Sequence, residues 1–269
     1  MHLDDHGYVS IVELIVYIPC LIPAVLVCLR HGFKRTSGWI FIVILSAIRI
    51  SGSICELLAY NNSTEALIKA TLIIDSIGIA PLLLIVLLVL SRLVDWINIS
   101  VQSPKLKTKH FRILQVLIGI GLVLGTIGVI SGGSQAADGS FTPSTTSKAG
   151  LILYLLDFAA ITVMFGLSLP NVSAVPRPER PIIFHIPIAL LAIAVRLLYS
   201  TLCIFVHDNT FSLFDGSLAA EVLMAIVAEF FVVIITLALG FKLRQDSPST
   251  QGEMTDLVEK SSNHALPLP

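Results

Sequence analysis

The sequence predicts an all-α polytopic membrane protein, a bundle of seven transmembrane helices with the amino terminus outside and the carboxyl terminus cytoplasmic. Three observations carry this. Of 269 residues, 55% are hydrophobic and 13% charged, about half the charged share of an ordinary soluble domain. Seven apolar stretches are long enough to cross a bilayer, for which a helix needs about 20 residues. The Lys and Arg residues cluster in alternate loops between them, the asymmetry that sets membrane orientation.

The seven segments cover residues 8–29, 38–60, 67–90, 113–131, 148–169, 182–206 and 217–241. The first carries Glu13 near one end and Pro19 and Pro23 within, either of which can bend it. Asp4 and Asp5 precede it without any Lys or Arg, so it lacks the positive flank of a cleaved signal peptide and is expected to stay as an anchor. The second follows a basic turn with Arg30, Lys34 and Arg35, and holds Arg49 at its middle. An arginine at that depth is costly, so it has to face protein or water and marks a functional-site candidate. The third contains Asp75 and Pro81. The fourth has Gly121 and Gly125 in GxxxG spacing and Gly128 beyond, a surface for close packing within the bundle rather than a dimer motif. The fifth carries Asp157, the sixth Arg196 followed by Tyr199, Ser200 and Cys203, and the seventh Glu221 and Glu229. Residues 1–244 form the membrane domain. The polar, Ser- and Pro-containing stretch 245–269 reads as a disordered cytoplasmic tail.

With the even-numbered loops outside, the inner loops hold most of the 17 Lys and Arg, among them Arg92, Lys105, Lys107, Arg177 and Arg180. Asn61 and Asn62 begin overlapping sequons on the outer side, pressed against a helix end, where glycosylation is disfavoured. Those at Asn98 and Asn171 fall inside, where they go unused.

Several function classes are excluded. A net charge of −1, with its cations spread over short loops, speaks against nucleic-acid partners. Cys20, Cys28, Cys55 and Cys203 all sit in apolar segments without CxxC spacing, so neither zinc nor a disulfide framework is indicated. His2 and His6 flank Asp4 and Asp5 but belong to a terminus, where adventitious binding is the better reading. There is no G-x-S-x-G elbow, P-loop or H-E-x-x-H. No lysine occurs in 217–241 to form a Schiff base. No enzyme, metal or cofactor is expected.

The buried charges remain. Arg49 and Glu56 are seven apart and share a helix face, with Gly52 and Ser53 between. An unpaired charge in lipid is far more costly than a paired one, so Arg49 is expected to pair with Glu229 or Asp75, and Arg196 with Glu229 or Asp157. Together Arg49, Glu56, Asp75, Asp157, Arg196, Glu221 and Glu229 either fix helix register or line a water-filled pocket open to the outside.

The run ELIVYIPCLIPAVLVCLRHGFKRTSGWIFIVILSAIRISGS, the IDSIGIAPLLLIVLLVLSRL stretch and FTPSTTSKAGLILY resemble an uncharacterised family of fungal seven-helix membrane proteins defined only as a domain of unknown function. The HGF-R-x-GWI turn, Arg49, the SIGIAPLLL segment and the TPST motif at 142–145 carry the resemblance, which covers the first five segments best. It implies an integral membrane location and seven helices, and supplies no activity or site.

Two functional readings follow. One is a receptor-like, ligand-sensing protein with a polar intramembrane pocket, favoured by the outer amino terminus, the basic second inner loop and the tail, although Ser91-Arg92-Leu93 departs from the acidic-arginine motif of typical G-protein-coupled receptors. The other is a small-solute or proton-coupled transporter of three plus one plus three helices, with Arg49 and Arg196 in corresponding positions. A purely structural membrane role, with ion pairs that only fix packing, stands behind both. The expected partners are membrane lipids and a small-molecule ligand or solute, with a homo-oligomer allowed, in the plasma membrane or an endomembrane.

Overall fold

The structure is a computed structural model that describes residues 5–31, 38–61, 65–100, 106–131, 144–205 and 222–243. Glu221, the tail 245–269, Asn62, the basic turn at Lys34 and Arg35, and the side chain of Asp75 lie outside the described residues.

Helix α1 (Asp5–His31) runs through both Pro19 and Pro23. Gly38, with φ +74°, makes the turn into α2 (Ile40–Asn61); a side chain there would meet Cβ of Leu88 at 3.0 Å. Only glycine adopts that backbone readily. The adjacent Trp39 is 1% exposed, so the GWI motif is a buried corner.

The third apolar stretch departs from expectation. Instead of one helix over 67–90 it forms α3 (Glu65–Ile77) and, after a turn at Gly78, α4 (Ile79–Ser100). Pro81 explains the break: it lacks an N–H and its ring clashes with the carbonyl four residues back, which belongs to Ile77. The helix of spanning length therefore starts at Ile79 and reaches Ile99. Its window is 61% buried, more than any other span, and α4 packs against α2, α5, α6 and α7. It is the central post of the bundle, and its stretch from Ile79 to Leu90 is apolar on every side for that reason.

Helix α5 (Thr108–Ser131) presents Ile113, Val116, Ile120, Val123, Ile127 and Ile130 outward, a helical-period stripe suited to lipid. Its opposite face meets α6 (Thr145–Ser168) through glycines. Ser144, from the TPST motif, caps α6 by accepting from Ser147 N, and its hydroxyl donates to the Gly128 carbonyl at 2.8 Å. The glycine pattern of the fourth segment is thus used within the chain. Short 3-10 turns (Leu169–Ala174 and Arg177–Glu179) lead into α7 (Pro181–Phe205). A π-helical turn (Val222–Ile226) opens the last helix, α8 (Val227–Lys242).

Seven helices are long and apolar enough to span a membrane, and no strand occurs among the described residues. The protein is a multi-pass integral membrane protein.

Candidate functional site

On α2, Arg49, Ser53 and Glu56 fall on one helix face; on α1, Ser10, Glu13 and Tyr17 do the same. Because α1 and α2 are antiparallel, the two stripes meet in reverse order. Glu56 accepts from Ser10 Oγ at 2.6 Å. Glu13 accepts from Ser53 Oγ at 2.6 Å and lies 3.8 Å from Arg49 Nη1.

The centre of the site is Glu229, 0% exposed on α8. Its Oε2 takes Arg49 Nε and Nη2, each at 2.5 Å, and its Oε1 takes Arg196 Nε at 2.7 Å from α7. Arg196 also donates through Nη1 to Ser200 Oγ at 2.9 Å, and its guanidinium carbon lies 5.8 Å from the Tyr199 ring centroid. One carboxylate thereby joins α2 to α7. Through Glu13 the network extends to α1, and two guanidinium groups face two carboxylates, so its formal charges balance. Removing such ions from water costs about as much as their attraction returns, so the network says more about specifying one arrangement than about net stability.

Both arginines contact Glu229, the acid named for each of them, while the Asp75 alternative for Arg49 lies outside the described residues. Glu56 belongs to the Ser10 contact one turn away. Asp157 on α6 is not Arg196's partner: it is 1% exposed and neither carboxylate oxygen has a hydrogen-bond partner among the described residues, nor does the Tyr154 hydroxyl one turn earlier. Glu13 escaped the sequence reading as a site residue, although an acid within an apolar span is the same signal that flags Arg49. A second ion pair was also missed. Arg92 on α4 grips Glu179 with two bonds, Nε to Oε2 at 3.0 Å and Nη2 to Oε1 at 2.7 Å. Arg92, expected among the cations of an inner loop, instead locks the central helix to the α6–α7 connection, where Glu179 is 1% exposed. Among the described residues no group of three His, Cys, Asp or Glu could hold a metal.

Beside the network lies a cleft of about 290 Å³ between the first halves of α1 and α8. The two helices are parallel and converge at the other end. There Gly240 sits so close to α1 that a Cβ would meet Val27 Cγ1 at 2.6 Å, and Arg30 Nη1 donates to the Phe241 carbonyl at 3.2 Å. From that pinch they diverge. The cleft is walled by Tyr8, Val12, Val16, Ile226 and Phe230, and Glu13 and Tyr17 also line it. Tyr17 meets Phe230 edge to face, with centroids 6.0 Å apart. Val12 and Val227 on the rim are 58% and 47% exposed, so the opening faces the lipid side of the bundle. Arg49, Arg196 and Glu229 are buried against one another, and the adjoining cleft has an almost wholly apolar surface.

Tyr17 is fully buried, and its hydroxyl has no hydrogen-bond partner among the described residues. A buried hydroxyl in that state is destabilising. Tyr17→Phe is therefore expected to raise stability by about 1 kcal/mol, read as a higher midpoint in thermal unfolding of the protein in nanodiscs. A lower midpoint would show that the hydroxyl is bonded.

A family model described as a domain of unknown function, DUF7702, matches residues 3–246. The chain belongs to this family. The DUF7702 match spans every helix from α1 to α8, so the ion-pair network and the cleft both lie within it. No curated protein and no solved structure matches the chain.

Proposed function

We propose that this DUF7702 protein is a ligand-sensing seven-helix membrane protein, not an enzyme, in which the Glu13–Arg49–Glu229–Arg196 network is the element that changes arrangement. The observation that carries the reading is that Glu13 belongs to both places: it is one of the residues around the cleft and it stands against the network. An occupant that alters the spacing of α1 and α8 acts directly on the Glu13–Arg49 contact, the longest in the network at 3.8 Å. Ion pairs of this kind are discrete and have to break to move, which gives two states rather than a continuum. In this reading the amino terminus faces outward and the tail lies in the cytoplasm, with a plasma-membrane or endomembrane location.

Filling the cleft by substitution tests this. Val12→Trp is compared with Ile22→Trp, on the same helix but outside the cleft and 65% exposed. Amide exchange in nanodiscs is expected to change for Val12→Trp along α1, α2 and the α7 turn around Arg196, and to stay at the parent level for Ile22→Trp. Change confined to α1 would overturn sensing through the network. Solute flux through the reconstituted protein would favour the transporter reading, in keeping with one Glu229 carboxylate holding both Arg49 and Arg196.

A further inference from the structure

We infer that Asp157 is a proton-binding site, a neutral carboxylic acid enclosed at the middle of the bundle. The site is separate from the sensing reading and does not depend on it, because no residue of the Glu13–Arg49–Glu229–Arg196 network takes part.

The first observation is position. Asp157 stands halfway along α6, with roughly 17 Å of helix on either side of it. It is 1% exposed while its neighbour Leu156 is 60% exposed, so α6 turns the acid inward and an apolar side chain to lipid. The second is isolation. Among the described residues four acids are buried, and three of them accept hydrogen bonds: Glu13 from Ser53, Glu179 from Arg92, Glu229 from both network arginines. Asp157 is the exception, with neither Oδ partnered, and the Tyr154 hydroxyl one turn earlier on the same face is in the same state.

The third is the charge on every element packed against α6, which are α5, α4, α7 and the 3-10 turn 169–174. The 3-10 turn has no ionisable side chain, α5 none from Ile113 to Ser131 and α4 none from Ile79 to Ser91. The charged residues of α4 and α5 lie at the ends that flank the 101–107 loop, where Arg92 is taken by Glu179. On α7, Arg196 is taken by Glu229 and Ser200 with Tyr199 against its guanidinium, His185 meets Thr236 at 3.4 Å, and Cys203 stands in the last turn. Lys148, the cation of α6 itself, is nine residues away over the Phe205 ring.

An ionised carboxylate without a counter-ion in low dielectric is so unfavourable that such a group neutralises instead. The proton is the ligand that does this. It binds one Oδ, cancels the charge and turns an acceptor into a hydroxyl donor. The flanks keep the site enclosed: toward the start of α6 the Tyr154 ring covers Gly121 and Gly150 lies against Gly125, and toward its end Ile161, Met164 and Phe165 are buried apolar side chains.

The experiment uses the full-length protein in nanodiscs with its aspartate carboxyl groups labelled by carbon-13, and reads the infrared absorption of protonated carboxyl groups at about pH 8, where an ordinary aspartate is protonated in only about one molecule in ten thousand. A labelled, protonated carboxyl band that moves in heavy water is expected. It should vanish in Asp157→Asn and persist in Asp95→Asn. Asp157→Glu, which keeps an acid at the position but outside the label, should remove it as well and serves if the asparagine variant fails to fold. Asp157→Asn should unfold at or above the parent midpoint, since an amide replaces a neutral acid without a change of charge. The absence of a protonated band in the parent would overturn the inference, as would a band that survives substitution of Asp157. A lowered midpoint in Asp157→Asn, with no protonated band in the parent, would show a carboxylate held by a cation and overturn it too.

Discussion

Glu229→Gln is expected to cost about 3–5 kcal/mol, the usual penalty for removing one partner of a buried ion pair. Glu229 is contacted by both arginines, and it is 0% exposed. Its neutralisation removes the carboxylate charge that both Arg49 and Arg196 contact in the middle of the bundle. Thermal unfolding in nanodiscs should show a large drop in midpoint and a fall in folded yield. The companion variant replaces the set with apolar side chains, Arg49→Met, Arg196→Met and Glu229→Leu together with Glu13→Gln. Groups that need no partner lose nothing by lacking one, so this variant should recover most of the stability. If Glu229→Gln unfolds at the parent midpoint, the network as described here is wrong.

The second large effect is steric, at the α5–α6 contact. A Cβ on Gly150 would lie 2.8 Å from Gly125 N and 3.0 Å from Gly121 O, and one on Gly128 would strike the Oγ and backbone N of Ser147 and lie 2.8 Å from its Cα. The obstacles are largely backbone, which has no rotamer with which to yield. Gly150→Ala and Gly128→Ala are each expected to cost about 1–3 kcal/mol, the range for overpacking. Gly125→Ala should be close to neutral, since nothing lies within 4 Å of its Cβ position. The contrast is sharp because Gly121 and Gly125 make the same motif in sequence. Equal effects at positions 125, 128 and 150, in the same unfolding measurement, would refute the interface.

These cases show what could be read beforehand. The intramembrane arginines announced themselves because lipid forces any cation to find an acid, and Glu229 stood among the named partners. The choice between Glu229 and Asp157 for Arg196 was not legible, since it depends on the rotation of each helix about its axis, which an almost uniformly apolar segment does not encode. The α3–α4 break was missed for a related reason: hydropathy runs unbroken through Gly78 and Pro81 and carries no information on backbone continuity. Proline alone does not decide it, because α1 continues through Pro19 and Pro23; at Pro81 a glycine stands three positions ahead and the turn falls there. The cleft had no sequence signal at all. It arises from two helices pinned together at Gly240 and Arg30 and diverging from there, a property of the pair rather than of either segment.

The separation of Arg49 from Glu229 along the chain, 180 residues, has a bearing on how the protein is made. At roughly 5–20 residues per second the ribosome needs on the order of 10–40 s to reach Glu229 after Arg49 has emerged. During that interval α2 is in the translocation machinery with its cation and without its eventual counter-ion. Glu13, 3.8 Å from Arg49 in the finished bundle, has already been synthesised on the neighbouring hairpin arm, so an acid is at hand before the last helix exists.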